Sequence, residues 1–314
     1  MALTIGVSVV VVLALYASVM WFRIDRTEAQ LAGSGTSGVT TFLLIGSDRR
    51  ADPVVDRTFF GSSELVPGAR ADIVIVVRRD QEGNLSSLAI PRDLTLFRTG
   101  GGPERLSSML DAGAGGIADA LCHSLGIGID HLVVVEFAGL RNLVDEVGGV
   151  NISAPAPLID RQSGLLLKAG VTRADGRTAL AYVRARHIEA WDGDKWEFDR
   201  SGNDRSKRAM TVLEQIGARI HIGWTKPLAT HRLAWVASGA ITVDGGAGPG
   251  DLLDLASALQ ALPEAPTQEL PVLTRGVDVP TASVTEGTDI AVRRFLGDAT
   301  PAKACSIPAL LSKP

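Results

Sequence analysis

A single hairpin narrows the choice of fold more than any other feature of this sequence. Asp72–Arg78 (DIVIVVR) is rich in β-branched residues, Asp80–Asn84 (DQEGN) has tight-turn chemistry, and Leu85–Ile90 returns before Pro91. β-Branched side chains fit a pleated, half-buried surface. A turn built of Asp, Gly and Asn joins two such runs as antiparallel neighbours. The rest of the chain alternates around this pair. Thr41–Ile45 (TFLLI) before Gly46 reads as a buried strand, His131–Val135 (HLVVV) as another, and Val150–Ile152 as a short one. Helical spacing marks Gly116–Leu125, Phe137–Val147, Thr178–Arg186, Arg205–Ile220 and Gly250–Leu262. The Gly148-Gly149 pair stops the second of these as a C-cap would. One hairpin plus crossover helices predicts an α/β fold with a mixed central sheet flanked by helices.

The remaining segments set the organisation. Leu31–Gly38 (LAGSGTSG) reads as a flexible linker. Ala51–Ala69 and Ala190–Asn203 read as loop-like inserts, and the Pro/Thr-rich chain after Pro263 as an extension packed on the main domain. The expected division is an anchor over 1–24, a linker over 25–38, a domain over 39–262 and an extension over 263–314. The chain of 314 residues, 46% hydrophobic, can bury a sizeable core.

The anchor is read from Ala2–Phe22, which carries no charge. Such a run crosses a hydrocarbon core of ~30 Å at ~1.5 Å per residue. No A-x-A cleavage site follows it, and Trp21 stands where an interfacial aromatic belongs. Arg23 and Arg26 follow the run and no Lys or Arg precedes it. By the positive-inside rule that pattern alone would hold the following domain inside.

A formal net charge of −4 argues against a nucleic-acid binder. Five histidines are scattered without metal spacing, and neither a P-loop nor a GxSxG elbow is present. The two cysteines, Cys122 and Cys305, form no zinc or redox motif. Export would leave two options: one disulfide pinning the C-terminal tail, or two buried thiols.

The charged clusters sit at the ends of predicted elements. They are Gly46-Ser47-Asp48-Arg49-Arg50, Arg70-Ala71-Asp72, Ile90-Pro91-Arg92-Asp93, Arg184-Ala185-Arg186 and Asp204-Arg205-Ser206-Lys207-Arg208. Arginine forks bind phosphates through paired, charge-assisted hydrogen bonds. Two nearby Asp groups suit Mg²⁺, which bridges pyrophosphate oxygens. On a helix, Arg184 and Arg186 would diverge by about 200°.

Six segments, TTFLLIGSDRR, RADIVIVV, LAIPRDL, HLVVVEFAGLRNLVDEVGGV, ADGRTALAYVRAR and DRSKR, stand in the order found in the LytR-CpsA-Psr family. The chain resembles that family from about Val39 to Leu262. The resemblance implies one N-terminal transmembrane helix in the cell membrane and an extracytoplasmic α/β domain. It implies transfer of a glycopolymer from a polyprenyl-pyrophosphate carrier to a peptidoglycan sugar hydroxyl through a phosphodiester. Asp48 and Asp72 would hold Mg²⁺ or Mn²⁺. Arg92, Arg184, Arg186 and Arg205 would clamp the phosphates, with Arg50, Arg70 and Arg208 contributing to substrate binding. Apart from the resemblance, Asp204 or Asp199 would suit the role of base, since both lie near Arg205 in the sequence. Apolar residues in Val133–Val135 and Phe137–Val144 would form a tunnel for the polyprenyl chain, or else plain core.

The sequence departs from the family pattern at Ala209, where Gln is usual, and at Asp204, where Gly is. Ser107 replaces an Asn, and Gly202 an Asp. These changes remove polar groups from the expected acceptor side. They leave open a second reading, a non-catalytic membrane-tethered binder of polyprenyl-linked glycans.

Overall fold

The predicted hairpin lies at the centre of a seven-stranded mixed sheet. The computed structural model describes residues 15–48, 68–199, 205–220, 227–275, 281–297 and 305. The main strands are β1 (Asp25–Thr27), β2 (Thr40–Ser47), β3 (Ala71–Arg79), β4 (Leu85–Ile90), β5 (His131–Glu136), β6 (Ile241–Asp244) and β7 (Thr267–Glu269). Their order is β1-β6-β5-β2-β3-β4-β7. β2, β3 and β4 form an antiparallel meander, whereas β5 joins β2, β1 joins β6 and β7 joins β4 in parallel. β2 and β3 are covered on both faces, so they read as continuous apolar runs rather than alternating ones.

Helices α1 (Gly115–Leu125), α2 (Phe137–Glu146), α3 (Gly176–Arg184), α4 (Arg205–Gly217), α5 (Pro227–Ser238), α6 (Pro249–Ala261) and α7 (Glu286–Leu296) follow the same chain order. One face of the sheet, with Leu43, Ile45, Val74, Val76 and Leu88, packs on Ile117 and Leu121 of α1 and Val292 and Phe295 of α7. The other, with Phe42, Leu44, Ile75 and Val133, meets Met210 of α4 and Leu255 and Ala258 of α6. A third cluster joins α2, α3 and α4 to the antiparallel pair of strands Val150–Ala154 and Gly170–Ala174. Glycine sets two of the close approaches. A Cβ on Gly217 of α4 would lie 1.8 Å from the Leu259 carbonyl oxygen of α6, and one on Gly176 would lie 2.2 Å from the Arg141 carbonyl oxygen of α2.

Several expected boundaries move. The stretch expected as a linker contributes β1 to the main sheet, and the Ser34 N–H and hydroxyl donate to Asp130 Oδ1. The Ala190–Asn203 insert is not a plain loop. Its strands Glu189–Trp191 and Trp196–Phe198 complete a four-stranded sheet with Leu158–Asp160 and Leu165–Leu167. The extension adds β7 to the main sheet and is joined to α1 by a disulfide between Cys122 and Cys305. α3 ends at Arg184, two residues before its expected end.

Much of the predicted anchor, residues 1–14, lies outside the described residues, as does most of the Ala51–Ala69 insert. Among the described residues no helix is long and apolar enough to cross a membrane. Segment 15–23 is helical and lies against α5. The Arg23 guanidinium sits 3.9 Å over the Trp235 ring, and Tyr16 stacks on His231.

Candidate active site

A register fault creates the first element of the site. β2 and β3 pair regularly up to Gly46 opposite Ile73, and the next pair is Ser47 opposite Ala71. Asp72 is therefore the extra residue of a β-bulge, a device that re-aims a side chain at a strand end. Its Oδ1 accepts from Arg92 Nη1, and from Arg205 Nη1 at 3.2 Å. The three side chains are 8%, 18% and 17% exposed, so this is a mostly buried cluster with more positive than negative charge. Arg92 Nε lies 3.6 Å from Asp93 Oδ2. Ser107 fastens the Arg92 loop to the start of β3. Its N–H donates to the Arg92 carbonyl at 2.9 Å, and its carbonyl accepts from the Ala71 N–H at 3.0 Å.

Burial is the main cause that pushes Arg205 down to about 10. Asp72 pulls it back up, while Arg92 and Arg186 push it down further. Arg205 therefore remains a cation at neutral pH, held at an electrostatic cost beside two other cations. Asp72 and Asp93 offset part of that cost, and a phosphate ligand would complement the positive charge that is left.

The remaining predicted residues lie around this centre in different ways. Asp48 is 7% exposed; its Oδ1 accepts from the Arg70 N–H at 2.7 Å, while the Arg70 side chain is exposed. Arg184 ends α3, with its guanidinium 4.7 Å over the Phe137 ring. Beyond it Ala185 is extended, so Arg184 and Arg186 do not diverge as helix neighbours. The backbone N–H groups of Arg186 and His187 donate to Asp160 Oδ2 at 2.7 and 2.9 Å. Burial raises the Asp160 carboxyl, but these donors together with those of Ser163 and Gln162 outweigh it and hold the group below the usual carboxylate range. Arg208 is a brace: it is 3% exposed, and it donates to the carbonyls of Tyr182 and Ala185 at the end of α3. Arg50 and Asp204 lie outside the described residues. Among the described residues no group of three or more His, Cys, Asp or Glu side chains gathers.

Beside the cluster lies an apolar cavity of about 580 Å³. Its floor is the second face of the sheet, through Leu44, Ile73 and Val135, and its walls are α4, α5 and α6. Of the candidate stretches, Val133, Val135, Phe137, Leu140 and Leu143 line it, whereas Val134 packs on the opposite face of the sheet and Val144 in the third cluster. Phe137 carries the Arg184 guanidinium, and Ala209 stands one helical turn from Arg205, so the cavity wall and the arginine cluster share elements. Ala209 is 6% exposed and belongs to the apolar wall. Sequence reasoning placed this departure on the acceptor side; the fold turns it toward the cavity. It also missed α5, α6 and segment 15–23 as walls. Their apolar residues carried no signal separating a cavity lining from a core.

Similarity to known proteins agrees with this geometry. The chain is 32% identical over 197 residues to the Probable cell wall biosynthesis protein LcpB of Corynebacterium glutamicum, covering 62% of this chain and 47% of that protein. It is 29% identical over 154 residues to the Polyisoprenyl-teichoic acid--peptidoglycan teichoic acid transferase TagV of Bacillus subtilis, covering 46% and 38%. The chain thus spans about half or less of the length of these curated relatives. Its fold matches the LytR-Csp2A-Psr enzyme from Actinomyces oris with a TM-score of 0.71 at 28% identity, covering 89% of this chain and 97% of that one. The family model for the LytR_cpsA_psr family matches residues 21–284, most of the chain, and the protein belongs to that family.

Proposed function

We propose that the chain transfers a glycopolymer from a polyprenyl-pyrophosphate carrier to a peptidoglycan sugar hydroxyl, forming a phosphodiester. The observation that carries this reading is the junction of an apolar cavity with a buried arginine cluster. A long isoprenoid attached to a pyrophosphate needs both surfaces, side by side. The relatives named as teichoic acid transferases, and a solved structure of similar fold described as TagT bound to LIIa-WTA, support the same donor class.

In this reading Arg92, Arg205 and Arg186 bind the pyrophosphate oxygens, and Arg184 guards the cavity mouth over Phe137. The cavity orients the lipid so that polyprenyl phosphate is the leaving group. As the bond to it breaks, charge grows on its oxygens, and preoriented guanidinium donors stabilise that charge more than the ground state. Asp72 holds Arg92 and Arg205 in that orientation; Arg208 holds the end of α3. Asp204, next to Arg205 in sequence, takes the proton of the acceptor hydroxyl. Two buried carboxylates, Asp48 and Asp72, at the ends of paired strands suit Mg²⁺, which binds through one or two carboxylates plus phosphate oxygens. When bound there, the ion would neutralise phosphate charge. The apolar N-terminal run serves as a single-pass membrane anchor that ends where 15–23 lies against α5, with the domain on the outer side where peptidoglycan lies.

The test is release of polyprenyl phosphate from a polyprenyl-pyrophosphate-linked glycan by the full chain in detergent with Mg²⁺ and peptidoglycan. Arg205→Ala is expected to lower release by roughly 10²–10³-fold, the loss typical of one electrostatic donor to the transition state. Tight donor binding without release by the unaltered protein would reject transfer in favour of a non-catalytic binder.

A further inference from the structure

The four-stranded sheet has an outer face that the function above does not use. Cross-strand partners share a face, and so do residues two apart. Trp191 is paired with Trp196, Glu189 with Phe198 and with Ile159, and Ile159 with Leu166. These six side chains therefore lie on one face. Their neighbours on the opposite face, Leu158, Leu167 and Ala190, pack into the core with α3 and α4. The outer face is open: Leu166 is 72% exposed, Phe198 is 50% exposed, and both tryptophans are half-buried. The two indoles meet edge to face, with centroids 5.4 Å apart and planes at 60°. That arrangement leaves the faces of one ring uncovered by the other.

The sheet is tied to the chain segment that carries Arg186. Asp160, the last residue of a strand in this sheet, anchors the backbone N–H groups of Arg186 and His187. The chain leaving the hairpin returns to the same place, where the Asp199 N–H donates to the Ile188 carbonyl at 2.8 Å. The rim is acidic. Asp192 and Asp194 stand at the turn beside the face, and Glu189, 4.0 Å from Arg161, lies on the face itself; Glu197, cross-strand from Ala190, belongs to the other face, where Lys195 pairs with it at 2.7 Å. An acidic rim repels phosphate polymers and anionic lipid. Half-exposed indoles in an acidic frame, on an insert that follows Arg186 in the chain, suit a neutral pyranose ring, whose C–H face stacks on indole and whose hydroxyls bond to carboxylates.

We propose that the Trp191–Trp196 face is a sugar-binding platform for the acceptor glycan, a specificity element added by the insert between Arg186 and Arg205. The assignment to the acceptor rests on the transferase reading; the sugar-binding surface does not. The first sugars of the donor offer the same chemistry, so the test has two arms. In the first, the full chain in neutral-lipid nanodiscs is titrated with a β-1,4-linked N-acetylglucosamine pentamer, followed by calorimetry. Saturable binding is expected, weakened about tenfold in Trp191→Ala and in Trp196→Ala, the usual loss for truncating an aromatic anchor. Trp196→Phe is expected to retain most of it, and the exposed Phe198→Ala variant gives a second reading without touching the indole pair.

The second arm measures transfer. The acceptor KM is expected to rise about tenfold in Trp191→Ala, with kcat and donor KM unchanged. Equal pentamer affinity in wild type and Trp191→Ala overturns the platform. A shift in donor KM alone overturns the acceptor assignment, and so does a loss of binding to phosphatidylglycerol vesicles in place of the pentamer. Trp191-dependent pentamer binding by a protein that shows no transfer supports the platform while rejecting the transferase reading.

Discussion

The two faces of the central sheet are built from the same strands and look alike in composition, yet they do opposite things. On one face Leu43, Ile45, Val76 and Leu88 close against α1 and α7 in a solid core. On the other, Leu44, Ile75 and Val133 form part of the floor of a cavity of about 580 Å³. A core packed to ordinary density leaves no void of that size. The difference lies in what stands opposite. α1 comes close through Ala118 and Ala120 and delivers Ile117 and Leu121 into the sheet. α5 and segment 15–23 stand off and present Leu233, Ala234, Met20 and Trp21 to a shared space. Burial alone therefore does not separate stabilising apolar surface from ligand-binding apolar surface; the distance to the opposing layer does.

Matched substitutions test that contrast. Leu213→Trp, on the cavity wall, is expected to weaken binding of a polyprenyl-pyrophosphate donor roughly 100-fold, about 2.7 kcal/mol, with little change in melting temperature. Ala120→Leu, on the solid face, is expected to destabilise the fold by about 1–3 kcal/mol, as overpacking does, and to leave donor affinity of the folded fraction unaltered. Calorimetric melting beside a binding titration reads both. If Leu213→Trp melts early and binds normally, the cavity is core.

Gly217→Ala probes the wall itself. The added methyl would start 1.8 Å from the Leu259 carbonyl, so α4 and α6 must separate. A loss of about 1–3 kcal/mol in denaturant unfolding is expected. An unchanged midpoint would mean that the two helices slide freely and that the wall is not set by this contact.

The smallest expected effect lies at Asp160, on the link between the core and the exposed four-stranded sheet. Asp160→Asn keeps the shape but removes the charge that the N–H groups of His187 and Arg186 address. A cost of about 1 kcal/mol is expected, in the range for one ordinary hydrogen bond, because the Asn side-chain oxygen still accepts. Because the folded carboxyl lies below its usual range, its contribution is present above the unfolded carboxylate pKa. It is lost as pH falls through the lower folded value. Wild type should thus lose part of its margin over Asp160→Asn on acidification, measured as converging melting temperatures. Parallel curves would assign Asp160 no ionic role.

Much of this molecule is written along the chain. The strands β2 to β5 and the helices α1 to α4 and α6 follow from local apolar periodicity and turn chemistry, with ends shifted by a few residues. The insert after Arg186 escaped that reading. Its strands are three residues each, and their pairing with Leu158–Asp160 is a long-range contact that no local window contains. Similarly, β1 and β7 are short edge strands held by partners more than a hundred residues away.

The sequence by itself determined the residue types of the site and the frame that carries them. Charged groups at the ends of apolar strands and helices must meet where those ends meet, because side chains leave an element only where burial stops. Tertiary structure decided the rest. It made Asp72 the bulged residue that joins Arg92 to Arg205, and it turned Arg208 into a brace and Ala209 into a wall. It also closed one face of the sheet while leaving space over the other. Those outcomes depend on register, helix separation and layer spacing, which are fixed only when distant segments pack.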